Sequence, residues 1–287
     1  MPDLLSLNDL TTDDCQALIA RAVVLGDLWQ ARELPQSLQG RRIGLIAELP
    51  GWRNPTALSL GAAELGASCV NVTAGLEGAE AIADLAGYLD NWFDAIAIRT
   101  PSLDRLRSFA AAAEASVLNL RTNHNHPFET LGDLSFVHAK RGSIEGLRVA
   151  VVAAAGNIAR SWLDAAEVLP IHVTQICPTE FAFTANELPS GVMTTDQKGV
   201  LAAADVIVTD CWPADIDPDQ AEQFAKLRIT ADILDGCKQD VLFIPCPPVT
   251  RGQEVSADAM DHPCCVATQA KAFLMHAQNA FLEHALA

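Results

Sequence analysis

Basic residues are scarce in this sequence. Its 287 residues carry 19 Lys and Arg against 36 Asp and Glu, a formal charge of −17. A chain this acidic repels nucleic acid and anionic membrane, so neither is expected as a partner. Long apolar runs are also missing. The best of them, residues 149–155, stops at Gly156-Asn157, far short of a membrane span. The start, Met1-Pro2-Asp3-Leu4, lacks the basic residues and apolar stretch of a signal peptide, which makes the cytoplasm the expected compartment. The eight cysteines include no C-x-x-C pair, and the chain is neither short nor secreted in character, so a disulfide framework is not expected. His124 and His126 are close together, but no cysteine or second histidine cluster stands at metal-ligand spacing, and no metal is expected. There is no internal repeat and no low-complexity tract.

What is present is an alternation of β and α patterns in a chain that is half hydrophobic. Residues 12–32 read as an amphipathic helix opened by Thr11-Thr12-Asp13-Asp14, which supplies capping oxygens. Short apolar strands are expected at 42–47, 68–72, 95–98 and 117–120, with helices at 56–65, 79–89, 103–115 and 127–140 between or after them. Residues 142–146 (Gly-Ser-Ile-Glu-Gly) form a turn-rich boundary. A second series then begins: strands at 148–152, 172–176, 206–208 and 241–244, and a helix at 157–169. A final helix over 266–286 is long enough to reach back over the first half. The expected fold is therefore α/β, with two open, parallel, doubly wound sheets. The domains are 1–140, joined by the C-terminal helix 266–287, and 141–265. A cleft is expected at the carboxyl ends of the strands, and function is sought there.

Five loops carry candidate chemistry. After the first strand, Gly51-Trp52-Arg53-Asn54-Pro55 offers Asn54 as an N-cap and Pro55 as a first helical residue. Such a helix start binds anions, and Arg53 adds charge. On local grounds alone, an ordinary capped loop with a surface arginine is the simpler reading. Arg99 ends the third strand, and His126-Pro127 opens a helix with an imidazole that could donate to a developing oxyanion. A helix-capping histidine explains the latter equally well. Asp210 follows the strand at 206–208. Cys246 sits among Pro245, Pro247 and Pro248, held stiff by the fixed φ of proline, or is simply a buried structural thiol.

Taken together, these segments resemble one family. His126-Pro127-x-x-x-Leu131-x-Asp133, followed by Ile144-x-Gly146-Leu147-Arg148-Val149, is similar to the middle signature of aspartate/ornithine carbamoyltransferases. Ala204-Asp205-Val206-Ile207-Val208-Thr209-Asp210-x-Trp212, Cys246-x-Pro248-x-x-Arg251-Gly252-x-Glu254-Val255 and Val266-x-x-Gln269-Ala270 resemble the ornithine branch. The motifs are collinear over nearly the whole chain.

The resemblance implies transfer of a carbamoyl group from carbamoyl phosphate to the amine of an amino acid or related small amine. It implies a place in arginine metabolism, a homotrimer and no cofactor. It gives Arg99, His126, Cys246 and Arg251 catalytic roles near the carbonyl, and places Trp52, Arg53, Asn54, Glu129, Asn157 and Asp210 against substrate. The chain departs from the family where phosphate binds. Gly51-Trp52-Arg53-Asn54-Pro55 replaces Ser-Thr-Arg-Thr-Arg, Glu129 replaces a glutamine, and Leu76-Glu77-Gly78 stands where a neighbouring subunit's lysine is expected. Pro245 also replaces a histidine, and Ala214-Asp215-Ile216 replaces Ser-Met-Gly. The alternative is a catalytically silent or repurposed paralogue that binds a ureido or carbamoyl ligand, or an active relative.

Overall fold

A computed structural model describes residues 2–188, 192–194 and 197–286. The chain divides into two compact units, Met1–Lys140 with Lys271–Ala287, and Arg141–Ala270. Both are parallel α/β sheets, and Met1 and Ala287 lie outside the described residues.

The first unit runs α1 (Thr12–Ala31), β1 (Arg42–Ala47), α2 (Arg53–Glu64), β2 (Ser68–Val72), α3 (Ile82–Asp90), β3 (Ala95–Arg99), α4 (Leu103–Ala112), β4 (Ser116–Arg121) and α5 (Pro127–Arg141). Its strands are ordered β2-β1-β3-β4, all parallel. Every residue of β3 is buried, as the uninterrupted Ala-Ile-Ala-Ile run implies for a central parallel strand covered on both faces. β2 lies at the edge and is half exposed. Thr11 caps α1, its hydroxyl accepting from Asp14 N at 3.1 Å. Leu85, Ile96, Ile98, Leu106, Phe109 and Val117 lie in one continuous core.

The second unit runs β5 (Leu147–Val152), α6 (Asn157–Val168), β6 (Ile171–Ile176), β7 (Val192–Thr194), α7 (Gln197–Ala203), β8 (Val206–Thr209), α8 (Pro218–Ala225), α9 (Ala231–Asp235) and β9 (Leu242–Pro245). Its order is β7-β6-β5-β8-β9. The sequence pattern had no place for β7, a three-residue edge strand, or for the short helices α7 to α9. Elements this short hold too few residues for a period of two or 3.6 to emerge.

Both orders reverse direction once. In the first unit the chain leaves β1 for β2 on one side, then returns to lay β3 on the other. In the second, β6 and β7 lie to one side of β5 while β8 and β9 lie to the other. The loops leaving the two strands that flank such a reversal diverge and open a crevice at their carboxyl ends. In the first unit these loops follow Ala47 and Arg99; in the second they follow Val152 and Thr209.

The last helix, α10 (Ala267–Leu286), packs into the first unit from Lys271 onward. Gly132 on α5 makes this possible, because a Cβ there would sit 3.0 Å from the backbone nitrogen of Leu274. The helices meet backbone to backbone, flanked by edge-on ring pairs Phe136–Phe273 at 5.7 Å and Phe128–Phe281 at 5.9 Å. Gly132→Val forces those helices apart and is expected to cost about 1–3 kcal/mol, lowering the melting temperature. A thermal scan matching the parent would show that the contact has slack.

Candidate functional site

At the reversal of the first sheet, the loop from Glu48 to Trp52 faces the end of β3. Arg99 leaves β3 there and turns its guanidinium onto this loop. Its Nε donates to the carbonyls of Leu49 (3.2 Å) and Pro50 (3.1 Å), and its Nη2 donates to Pro50 O at 2.6 Å. Gly51 admits that approach. Its φ is +132°, and a Cβ would lie 2.6 Å from Arg99 Nη2. Burial pulls Arg99 down to about 10, the positive charge of Arg121 adds to the shift, and Glu129 opposes it.

The helix start differs from expectation. Trp52, not Asn54, occupies the N-cap, Arg53 is the first helical residue, and Pro55 falls within the first turn. Proline is tolerated there because its missing N–H has no intrahelical acceptor to lose. Asn54 is thereby turned inward and buried. Its Nδ2 faces His126 Nε2 at 3.4 Å, and its Oδ1 accepts from Gln278 Nε2 at 2.9 Å. Trp52 is 67% exposed, and the Arg53 guanidinium rests over its ring at 4.9 Å.

His126 is held at the entry to α5 by a stiff preceding loop. Thr122 Oγ1 accepts from His124 N and Asn125 N, and Asn119 Nδ2 donates to Asn125 Oδ1 at 2.7 Å. Burial lowers the ring's basicity to about 4; Glu129 opposes this, while Arg99, Arg121 and Lys271 add to it. Glu129 Oε2 stands 3.8 Å from His126 Nε2. The other oxygen of Glu129 meets Lys271 Nζ at 2.9 Å, and the same ammonium reaches Asp133 at 2.8 and 2.7 Å.

Glu129 thus does not add bare negative charge to the site. Burial alone would raise it, but Lys271 and His126 outweigh that effect and hold it below the usual carboxylate range. Burial pushes Asp133 up to about 7 against the pull of Lys271. Sequence reasoning missed Lys271 and Gln278. A faint signal existed: Lys271 is the one lysine in a long apolar helix, and Glu129 and Asp133 share a face at i,i+4 of another.

In the second unit, Asn157 begins α6 after β5, Asp210 follows β8, and Cys246 follows β9. Because β5, β8 and β9 are neighbours, all three residues lie at one end of the sheet. Asp210, Ala153, Ala154, Trp212 and Glu254 line a hollow of about 10 Å³, the size of one water. Cys246 is buried, and its backbone N–H bonds Thr209 O at 2.9 Å. Arg251 is exposed and folded onto its own loop, donating to Ala257 O at 2.8 Å and lying 3.8 Å from Asp261.

Residues 2–139 match the model of the aspartate/ornithine carbamoyltransferase carbamoyl-P binding domain, and residues 145–285 match that of the Asp/Orn binding domain. The chain belongs to the aspartate/ornithine carbamoyltransferase family. Among its relatives, the ornithine carbamoyltransferase of Pseudomonas syringae pv. tomato is 32% identical over 99% of this chain and 96% of its own. That of Syntrophus aciditrophicus is 31% identical over 98% of each. The crystal structure of the Burkholderia thailandensis ornithine carbamoyltransferase superposes with a TM-score of 0.92 at 26% identity, covering 100% of this chain and 99% of that one. A ligand-free aspartate transcarbamoylase from Trypanosoma cruzi shares the fold, with a TM-score of 0.84 at 22% identity over 98% of this chain and 94% of its own. Among the described residues, no helix of this family member is long and apolar enough to cross a membrane.

The buried imidazole has a stability consequence. In the unfolded chain it titrates near 6.5, but in the folded chain only near 4. As pH falls through that window, the unfolded state gains a proton that the folded state refuses, so stability is lost. The loss is on the order of 3 kcal/mol. Asp133, pushed up to about 7, gains stability over the same window and works against this loss, so the difference between proteins is what counts. Urea denaturation at pH 7 and pH 4.5 should show a larger fall in the parent than in His126→Gln. His276, also lowered to about 4 by burial, keeps its own share.

Proposed function

We propose that the protein transfers a carbamoyl group from carbamoyl phosphate to the amine of an amino acid. The observation that carries this reading is the gathering of Arg99, His126 and the start of α2 at the carboxyl-end reversal of the first sheet. In the mechanism, the N-terminus of α2 and Arg53 hold the phosphate. Arg99 and His126 donate to the carbonyl oxygen as it gains negative charge. The amine attacks the carbonyl carbon, the C–O bond to phosphate breaks, and the leaving phosphate takes the amine's proton. By the family resemblance, Asn157, Asp210 and Cys246 of the second unit hold the amino acid, and Arg251 belongs beside the carbonyl. The proposal extends to a homotrimer in the cytoplasm, a role in arginine metabolism and a reaction without cofactor.

A second reading has its own support. The guanidinium of Arg99 is already engaged by the Leu49 and Pro50 carbonyls, an arrangement suited to a silent or repurposed paralogue. Labelled carbamoyl phosphate incubated with pooled amino acids separates the two. The transferase reading expects a labelled ureido acid, reduced by about 10²–10³ in Arg99→Ala. Product formation equal in parent and variant, or none in the parent, would defeat it. In the latter case, the combined G51S, W52T, N54T and P55R variant gives a further result. A Cβ at position 51 displaces Arg99 from Pro50, and regained turnover would mark the loop as the lesion.

A further inference from the structure

We infer that the C-terminal helix sets the tautomer of His126, with Gln278 and Lys271 acting together to keep the ring proton off Nε2 and on Nδ1. Neither residue touches the proposed reacting atoms; both are positioning residues that act through a neighbour.

The first contact runs through Asn54. Its carboxamide has one accepting and one donating end. Gln278 Nε2 donates to Oδ1 at 2.9 Å, which leaves the NH2 end turned toward His126 Nε2 at 3.4 Å. An amide NH2 only donates, so the ring nitrogen that faces it must present a lone pair. A neutral imidazole carries one N–H, which then lies on Nδ1. Gln278, Asn54 and His126 are all buried, and no bulk water competes for these groups.

The second contact removes an opposing pull. Glu129 Oε2 lies 3.8 Å from the same Nε2, too far for a hydrogen bond but close enough for its charge to draw a proton there. Lys271 counters that charge from the other oxygen at 2.9 Å, while Asp133 anchors the ammonium. Arg99 and Arg121 also face the ring and disfavour the cation. Lys271 and Gln278 stand about two turns apart, hence on the same face of α10. The resemblance expects glutamine where this chain has Glu129. Lys271 is what allows a carboxylate at that position without charging the histidine.

The catalytic meaning of this relay rests on the carbamoyl-transfer reading, but the tautomer does not. It can be measured without substrate on ¹⁵N-histidine-labelled full-length protein, by long-range ¹H–¹⁵N correlation at neutral pH. His126 is identified by the signal missing from His126→Gln. The expected spectrum shows a protonated Nδ1 and an unprotonated Nε2. The reverse pattern, an imidazolium or an even mixture would overturn the inference, including the case in which both amides are turned the other way. Gln278→Leu should move the ring toward the Nε2–H form. Lys271→Met should move it toward Nε2–H or the cation, and adding Glu129→Gln should reverse that change. An unshifted ring in Gln278→Leu would sink the relay. Should that variant fail to fold, Lys271→Met with and without Glu129→Gln carries the test: a ring unshifted in Lys271→Met would overturn the inference, and a shift that Glu129→Gln reverses supports it. A parent with the expected tautomer but no ureido product would defeat the functional reading and leave this one standing.

Discussion

A lysine ammonium buried between two carboxylates is the constraint on which the first unit depends. Lys271 is enclosed with Glu129 and Asp133, its ammonium in direct contact with both. Removing the ammonium would leave buried carboxylate charge without a counter-charge, which is far costlier than losing an exposed pair. The cluster pins α10 to α5, where Gly132 has already brought the two backbones together. Because α5 begins at His126-Pro127, whatever fixes α5 also fixes the imidazole. Packing, charge balance and the candidate chemistry thus share one helix pair.

Much of the architecture was legible because parallel sheets write themselves plainly in sequence. The four strands of the first unit are short apolar runs bounded by turn residues, and they lie where the pattern put them. What escaped was of two kinds. Short elements such as β7 and α9 carry no period. The start of α2 was misplaced because Asn54 and Pro55 look like cap and first helical residue, the commoner arrangement. Here a buried partner wins instead: Gln278, distant in sequence, draws Asn54 inward and the helix starts two residues earlier.

The candidate site was legible in its residue types and not in its connections. Arg99 and His126 stood out as polar groups at strand and helix ends. No local pattern could say that Arg99 would bond the carbonyls of its own neighbouring loop, or that Glu129 would meet a lysine more than a hundred residues away. Charge substitutions that look harmful in one dimension can be balanced by a partner that only the fold supplies. Arg251 shows the opposite case: its motif is intact, yet its guanidinium is taken up by Ala257 O.

The meeting of Gly51 with Arg99 constrains how this loop can evolve. Any β-carbon at position 51 would collide with the guanidinium, and the backbone there adopts a φ that suits glycine. A change at 51 is therefore felt first at 99, so the two positions are epistatic although they lie on different strands' loops. A hydroxyl-bearing residue at 51 is never a local change: whenever that step is taken, the arginine must find a new place.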